Sequence, residues 1–179
     1  CIALSNRGDI HAGLGSESEE RGFLLSAGEH YVTAAICYHF GKFLFVNNPI
    51  QMKSTHKKAV DIYTKALPYL NPPGERVSIP YNGSTLYGNL RAPNGIKTPP
   101  VVILIMGLDS AKEEMFYNEQ LFLDRGMATL TFDGPGQGEA EYDLSICPEY
   151  EKPVQAVIEF TKTRKDLDAS SIGLWGVSM

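Results

Sequence analysis

The closing run Gly173-Leu174-Trp175-Gly176-Val177-Ser178-Met179 constrains the fold more than any other stretch of this 179-residue chain. It reads as a buried strand running straight into a serine, with glycine two positions before it. Gly176-x-Ser178-x fills four of the five positions of the G-x-S-x-G pattern, in which the serine sits on a sharp strand-to-helix turn. Such a turn holds the serine at an unfavourable φ and brings backbone against backbone, so tiny residues are expected two positions to either side. The implied chemistry is acyl transfer. The motif's last glycine is expected after Met179, so the chain is read as the front half of a longer protein.

What leads to that serine supports the reading. Residues 76–81 and 84–91 flank Asn82-Gly83, a strong hairpin signal. A Pro/Gly loop follows, then Val101 to Met106, a continuous apolar run of the kind expected for a strand covered on both faces. Residues 113–125 are predicted as a helix, 127–132 as a strand, 150–165 as a helix and 171–176 as a strand. Alternation of this kind implies a parallel sheet with right-handed crossovers. The fold class is therefore α/β, an incomplete α/β-hydrolase core up to its nucleophile, preceded by a helical segment.

The helical segment ends at Asn71-Pro72-Pro73-Gly74, so the expected division is 1–73 and 74–179. Ser26-Ala27-Gly28-Glu29 has capping-box form and predicts a helix to about Val46, with Tyr31, Ala34, Ala35, Tyr38 and Leu44 on one stripe. Asn48, Pro49 and Gln51 have the pattern of a second helix start. Residues 16–25 are expected to form a further helix. The glycine-rich residues 1–15 are left unassigned.

Composition narrows the function. At 43% hydrophobic and 21% charged the chain is globular. Its net charge of −5, with no Lys/Arg cluster, argues against nucleic-acid and anionic-membrane partners. No apolar run approaches the roughly 20 residues of a membrane helix. No basic-then-apolar leader is seen, and Cys1, Cys37 and Cys147 fit neither a disulfide framework nor a zinc site. A cytoplasmic setting with free thiols is expected. The four histidines (His11, His30, His39, His56) have no metal-ligand spacing, so neither a metal nor a cofactor is expected.

Ser178 needs a base, normally a histidine oriented by a carboxylate, and in this order of elements both follow the serine. All four histidines precede it, so base and acid are expected after Met179, and the 179 residues alone are expected to be inactive. The oxyanion hole needs two backbone donors. By position these are the N–H of Met179 and that of Leu108, in the loop Met106-Gly107-Leu108-Asp109-Ser110. Asp109 and Glu113 are secondary candidates for substrate contact, although Ser110-Ala111-Lys112-Glu113 also has capping-box form. His39 is a third, weaker candidate; a packed helical histidine is its default reading. Asp133-Gly134-Pro135-Gly136-Gln137-Gly138-Glu139 is read as a tight loop near the site, with Asp133 stabilising the turn. It lacks G-K-[ST] and the GxGxxG spacing of a nucleotide binder.

Together, "GERVSIPYNGSTLYGNLRAPNG", "VVILIMGLDSAKEEMF", "ATLTFDGPGQGEAEYD" and "IGLWGVSM", preceded by "SAGEHYVTAAICYHFGKFLF", closely resemble the 2,6-dihydroxypseudooxynicotine hydrolase group. These are α/β-hydrolases with an N-terminal helical cap, related to fungal polyketide-shortening hydrolases and to fermentation/respiration-switch-type esterases. The resemblance covers almost everything from Ser26. It implies a nucleophile at Ser178, oxyanion amides at Leu108 and Met179, and a helical lid over the site. It also implies a small aromatic or polyketide-like substrate cut at a carbon–carbon (ketone or diketone) or ester bond. A general carboxylesterase is the alternative within the fold, and a homodimer is left open. Two rivals come from other classes. A tetratricopeptide-like interaction module would rest on the 26–70 helices, but one pair is too few for such an array. A nucleotide binder would rest on 133–138, against the acidic residues that follow.

Overall fold

A computed structural model describes residues 2–42 and 47–178. The chain forms two compact units, Cys1–Gly74 and Glu75–Met179.

The first unit is helical: α1 (Ile2–Glu20), α2 (Leu24–Lys42) and α3 (Pro49–Ala66), closed by a 3-10 turn at Leu67–Tyr69. The unassigned N-terminal stretch and the start of the expected 16–25 helix are one helix. Its glycines are used for packing. A Cβ on Gly8 would lie 2.5 Å from the Tyr38 ring, and one on Gly15 2.4 Å from the Tyr31 ring. Each ring lies against a bare helix backbone and anchors its hydroxyl on α1, Tyr38 to Asp9 at 2.7 Å and Tyr31 to Glu19 at 2.6 Å. Glycine's helix penalty of about 1 kcal/mol is offset by this approach. Glu19 also accepts from Tyr69 and pairs with Lys65. The Lys65 hydrogen bond, followed by those of the two tyrosines, holds the Glu19 carboxyl down to about 2.

Helix α2 begins at Leu24, so Ser26 lies inside its first turn and the expected capping box does not form there. The chain instead turns at Gly22 with φ 77°, which closes α1 through the Phe23 N–H to Ser18 C=O bond at 2.8 Å. Asn48 caps α3 as expected, accepting from the Gln51 N–H at 3.0 Å with Pro49 in the first turn. The end of the helix expected to run to Val46, with Leu44, lies outside the described residues, as does Cys1.

The second unit holds one five-stranded sheet of order β1-β2-β4-β3-β5, from β1 (Gly74–Tyr81), β2 (Ser84–Arg91), β3 (Pro100–Ile105), β4 (Ala128–Phe132) and β5 (Asp168–Gly176). Asn82 and Gly83 take φ 47° and 74°, the double positive-φ turn that an Asn-Gly hairpin needs. β4 runs antiparallel to β2 and parallel to β3, and β3 parallel to β5. Helices α4 (Phe116–Leu123) and α5 (Glu151–Thr163) are the crossovers.

Period two decides which residues meet which helix. Val101 and Ile103 join Leu130, Phe132, Val154 and Val157 in one core; Val102, Leu104 and Met106 join Met115, Phe122 and Trp175 in another. With both faces covered, β3 and β4 need no polar side, which is why Val101–Met106 reads as an unbroken apolar run. β4 departs from this only at Thr129 and Thr131. Thr131 donates to Glu119, which pairs with the fully buried Arg91 at 3.2 Å.

Register fixes where the site must be. Ile105 pairs with both Phe132 and Gly176, so β3, β4 and β5 end level with one another. The loops that follow them, 106–111, 133–138 and 177–178, therefore emerge side by side at one carboxyl edge, where open α/β sheets bind ligands.

Candidate active site

Ser178 stands at the end of β5 with φ 61°, one of two non-glycine residues with positive φ among those described. Pairing continues one residue past the strand, the Val177 N–H donating to Ile105 C=O at 3.2 Å, and the backbone then breaks into the left-handed region. That conformation costs a serine about 1–2 kcal/mol and lifts its side chain out of the sheet. Ser178 is exposed and lines a cavity of about 340 Å³. The rest of that wall is Ile105, Met106, Leu108, Pro135, Gln137, Ile146, Cys147, Pro148 and Tyr150. It is an apolar wall with few polar groups.

The crowding expected around the turn falls on a different glycine. A Cβ on Gly176 would meet nothing within 4 Å among the described residues, whereas one on Gly107 would lie 3.2 Å from Ser178 Cβ, 3.3 Å from Val177 O and 3.6 Å from Ser178 Oγ. The β3 exit loop thus lies directly against the serine. Leu108 is about half exposed at 47% and borders the cavity. Met179, the other expected oxyanion donor, lies outside the described residues.

The remaining sequence-derived candidates separate. Asp109 is exposed on the loop. Glu113 is buried and pairs with Lys112 at 2.7 Å. His39 belongs to the helical unit, where it is buried in α2 with its ring edge-on to Phe40. The second expected capping box is also absent: Ser110 Oγ donates to Glu114, not Glu113, and residues Lys112–Met115 open as a 3-10 turn with no side-chain cap.

Two clusters were not anticipated. In the first, the fully buried Lys112 ammonium touches Asp133 at 2.7 Å, Glu113 at 2.7 Å and Glu139 at 2.6 Å. Arg76 grips Glu139 with two bonds, at 2.6 and 2.9 Å. Asp133 also accepts the backbone N–H groups of Lys112 at 2.8 Å and Glu139 at 2.9 Å. Burial alone would lower the Lys112 pKa, but the charges of Asp133, Glu113 and Glu139 outweigh it and hold it above the ordinary lysine range. Burial likewise opposes ionisation of Glu139, and Lys112 and Arg76 reverse that, keeping its carboxyl below its ordinary value. A sequence signal for this cluster exists: a cation in the first turn of a helix opposes the macrodipole, so Lys112 should have a partner elsewhere.

In the second cluster the buried Gln137 carboxamide donates to Met106 C=O at 2.6 Å and Gly107 C=O at 2.8 Å. It accepts from Gly134 N–H at 3.3 Å and from the Tyr150 hydroxyl. The glycines of 133–138 thus serve close packing rather than a phosphate. A Cβ on Gly138, at φ 48°, would fall 2.1 Å from the Asp133 carboxyl carbon. The space a phosphate would need is filled, and Asp133 stabilises the turn as the sequence suggested.

Residues 10–157 match the FrsA-like esterase family. The chain belongs to that family. It is 41% identical over 155 residues to 2,6-dihydropseudooxynicotine hydrolase of Paenarthrobacter nicotinovorans, a match covering 87% of this chain and 42% of that protein. It is 30% identical over 186 residues to the hydrolyase poxO of Penicillium oxalicum, covering 93% and 43%. The crystal structure of a 2,6-dihydroxy-pseudo-oxynicotine hydrolase superposes with a TM-score of 0.91 at 36% identity, over 97% of this chain and 49% of that one. The chain therefore spans less than half the length of these relatives, which are hydrolases, and shares their α/β-hydrolase fold. The family match runs through the helices as well as the sheet, which leaves the separate helical-array reading without support. No helix among the described residues is long and apolar enough to cross a membrane.

Proposed function

We propose that the whole protein is a serine hydrolase in which Ser178 attacks a carbonyl carbon. The observation that carries this is the combination of a strained serine at φ 61° with the glycine loop of β3 packed against it at the mouth of an apolar cavity. In the reaction the Ser178 Oγ–carbon bond forms and the hydroxyl proton passes to a base. The carbonyl oxygen becomes an oxyanion facing the N–H groups of Leu108 and Met179. The bond to the leaving group then breaks, the leaving group takes the proton, and water releases the acyl enzyme. Residues 75–179 contain no histidine, so the base comes from outside that span.

The cavity wall favours an aromatic or polyketide-like acyl compound over a charged one. Likeness to the Paenarthrobacter enzyme favours a ketone whose carbon–carbon bond is cut, with the carbon leaving group protonated as it departs. Ester cleavage uses the same serine and the same oxyanion hole, so a general esterase is the second reading.

The test is labelling of the whole protein by a fluorophosphonate, followed by peptide mass spectrometry. The adduct is expected on Ser178, and Ser178→Ala is expected to lower turnover of p-nitrophenyl butyrate on the order of 10⁴-fold or more. An adduct on another residue, or an active Ser178→Ala variant, rejects the assignment.

A further inference from the structure

Gln137 lines the same cavity as the serine and takes no direct part in the bond-making steps. Its amide makes four contacts, and three of them fix its orientation. The NH₂ group faces two carbonyls, Met106 and Gly107, and the oxygen faces two donors, the Gly134 N–H and the Tyr150 hydroxyl. Reversing the amide would place donor against donor at Gly134 and oxygen against oxygen at Met106 and Gly107; the Tyr150 hydroxyl, which can donate or accept, meets either face.

In a regular strand successive carbonyls point to opposite sides. Here Met106 and Gly107, consecutive residues at the end of β3, send both carbonyls to one nitrogen, at 2.6 and 2.8 Å. A trans peptide is planar, with its N–H antiparallel to its C=O. The N–H groups of Gly107 and Leu108 are therefore both turned to the side of the loop away from Gln137. Successive amides turned to one side make an anion-binding concavity. The Gly107 carbonyl is further held by the Ser110 N–H at 3.1 Å, so the Gly107–Leu108 peptide has little freedom to rotate. This same loop is the one against Ser178, with Oγ 3.6 Å from the Cβ position of Gly107.

We propose that Gln137, held in orientation by the Gly134 N–H and the two carbonyls and supported by Tyr150, is a positioning residue for the oxyanion hole: it holds the Gly107–Leu108 peptide so that the Leu108 N–H faces the oxyanion formed on Ser178. The proposal rests on the reading of Ser178 as nucleophile, and adds the residue that preorganises its electrophilic partner. Oxyanion donors act through where they already point, so their support matters as much as the donors themselves.

The experiment uses the whole protein with p-nitrophenyl butyrate as substrate. An alkyl trifluoromethyl ketone, which adds to the serine and forms an oxyanion, is compared with the matching methyl ketone, which serves as a ground-state ligand. Gln137→Met keeps the side-chain length and removes both donors. It is expected to lower kcat about 10–100-fold, somewhat less than outright loss of a donor, while KM stays within about 3-fold. Trifluoromethyl ketone affinity should fall by the same factor as kcat/KM, and methyl ketone affinity should not change. Tyr150→Phe keeps the ring, removes one of the two donors to the Gln137 oxygen and should produce the same pattern at a smaller amplitude; it decides the matter if Gln137→Met does not fold.

Wild-type kcat/KM in Tyr150→Phe and in folded Gln137→Met, with Ser178 still labelled by fluorophosphonate, overturns this proposal and leaves the nucleophile assignment standing. Equal weakening of both ketones, or loss of kcat with trifluoromethyl ketone affinity intact, also overturns it, since either pattern marks a purely structural role. Absence of the label from Ser178 in the wild type instead defeats the reading beneath it.

Discussion

Replacing Lys112 by methionine tests whether the charge cluster beside the site is what ties the loop after β3 to the loop after β4. The ammonium is fully buried and meets three carboxylates, those of Asp133, Glu113 and Glu139. Methionine fills a similar volume and brings no charge. Asp133 keeps its two backbone N–H donors and Glu139 keeps Arg76, so the site does not collapse, but three acidic groups then share it without the ammonium. Breaking a buried pair from one side costs about 3–5 kcal/mol. An independent bound comes from proton uptake: neutralising one carboxylate of ordinary pKa near 4.5 at pH 7 costs about 3.4 kcal/mol. The two figures agree, and the expected loss at pH 7 is about 3 kcal/mol.

The second figure also fixes the pH dependence. In the variant the folded-state pKa of the protonated carboxylate lies above its unfolded value, so the variant gains stability relative to wild type as pH falls towards 4.5. The gap should close by about 1.4 kcal/mol per pH unit, leaving less than about 1 kcal/mol near pH 5. The assay is urea denaturation of both proteins at pH 7 and pH 5, read as midpoints at a common m. A loss under about 1 kcal/mol at pH 7, or a loss of about 3 kcal/mol that does not change between the two pH values, refutes the reasoning. Asp133→Asn combined with Lys112→Met should cost clearly less than the sum of the single changes, because the pair acts as a unit.

Gly107→Ala places a methyl 3.2 Å from Ser178 Cβ; kcat/KM for a p-nitrophenyl ester should fall by about 10-fold or more with little change in melting temperature, and wild-type turnover would contradict the close approach. Gly15→Ala improves helix propensity by about 1 kcal/mol, but its Cβ would sit 2.4 Å from the Tyr31 ring. Overpacking of about 1–3 kcal/mol should win, so helical circular dichroism should be lost at lower urea, and a gain in stability would mean the ring is not there. Glu19, held down to about 2 by Lys65 and then by the two tyrosine hydroxyls, has a depressed folded pKa. Its contribution is present above its ordinary value of 4.5 and is lost as pH falls through about 2; Glu19→Gln should flatten the acid limb of helix unfolding, and an unchanged limb would assign it elsewhere.

The readability of the sequence followed the range of the forces involved. The hairpin at Asn82-Gly83, the cap at Asn48 and the apolar run of β3 are local signals, and each element forms where its residues indicate. Capping boxes at Ser26 and Ser110 had the same local form and failed. At the first, Gly22 ends α1 early enough for α2 to begin before Ser26; at the second, Lys112 is drawn to Asp133 on another strand's loop and the helix opens late. The glycine-rich N-terminus was opaque because its helix is stabilised by rings of α2 that stand 16 to 30 residues away in the chain. Gln137 was placed in the right loop, yet nothing beside it in sequence marks the carbonyls of Met106 and Gly107 as its partners.

The chain alone, through alternation, turn residues and a glycine two before a serine, determined that a mostly parallel sheet would deliver Ser178 to a tight turn at its carboxyl edge. Those are one-dimensional patterns, and backbone sterics convert them directly into strands and bends. Which groups meet there was settled only by strand register: β3, β4 and β5 end level, so the Gln137 amide reaches the carbonyls after β3 and the Lys112 ammonium reaches Asp133 after β4. Hydrogen bonds and buried charges act over about 3 Å, and sequence separation says nothing about distances of that size.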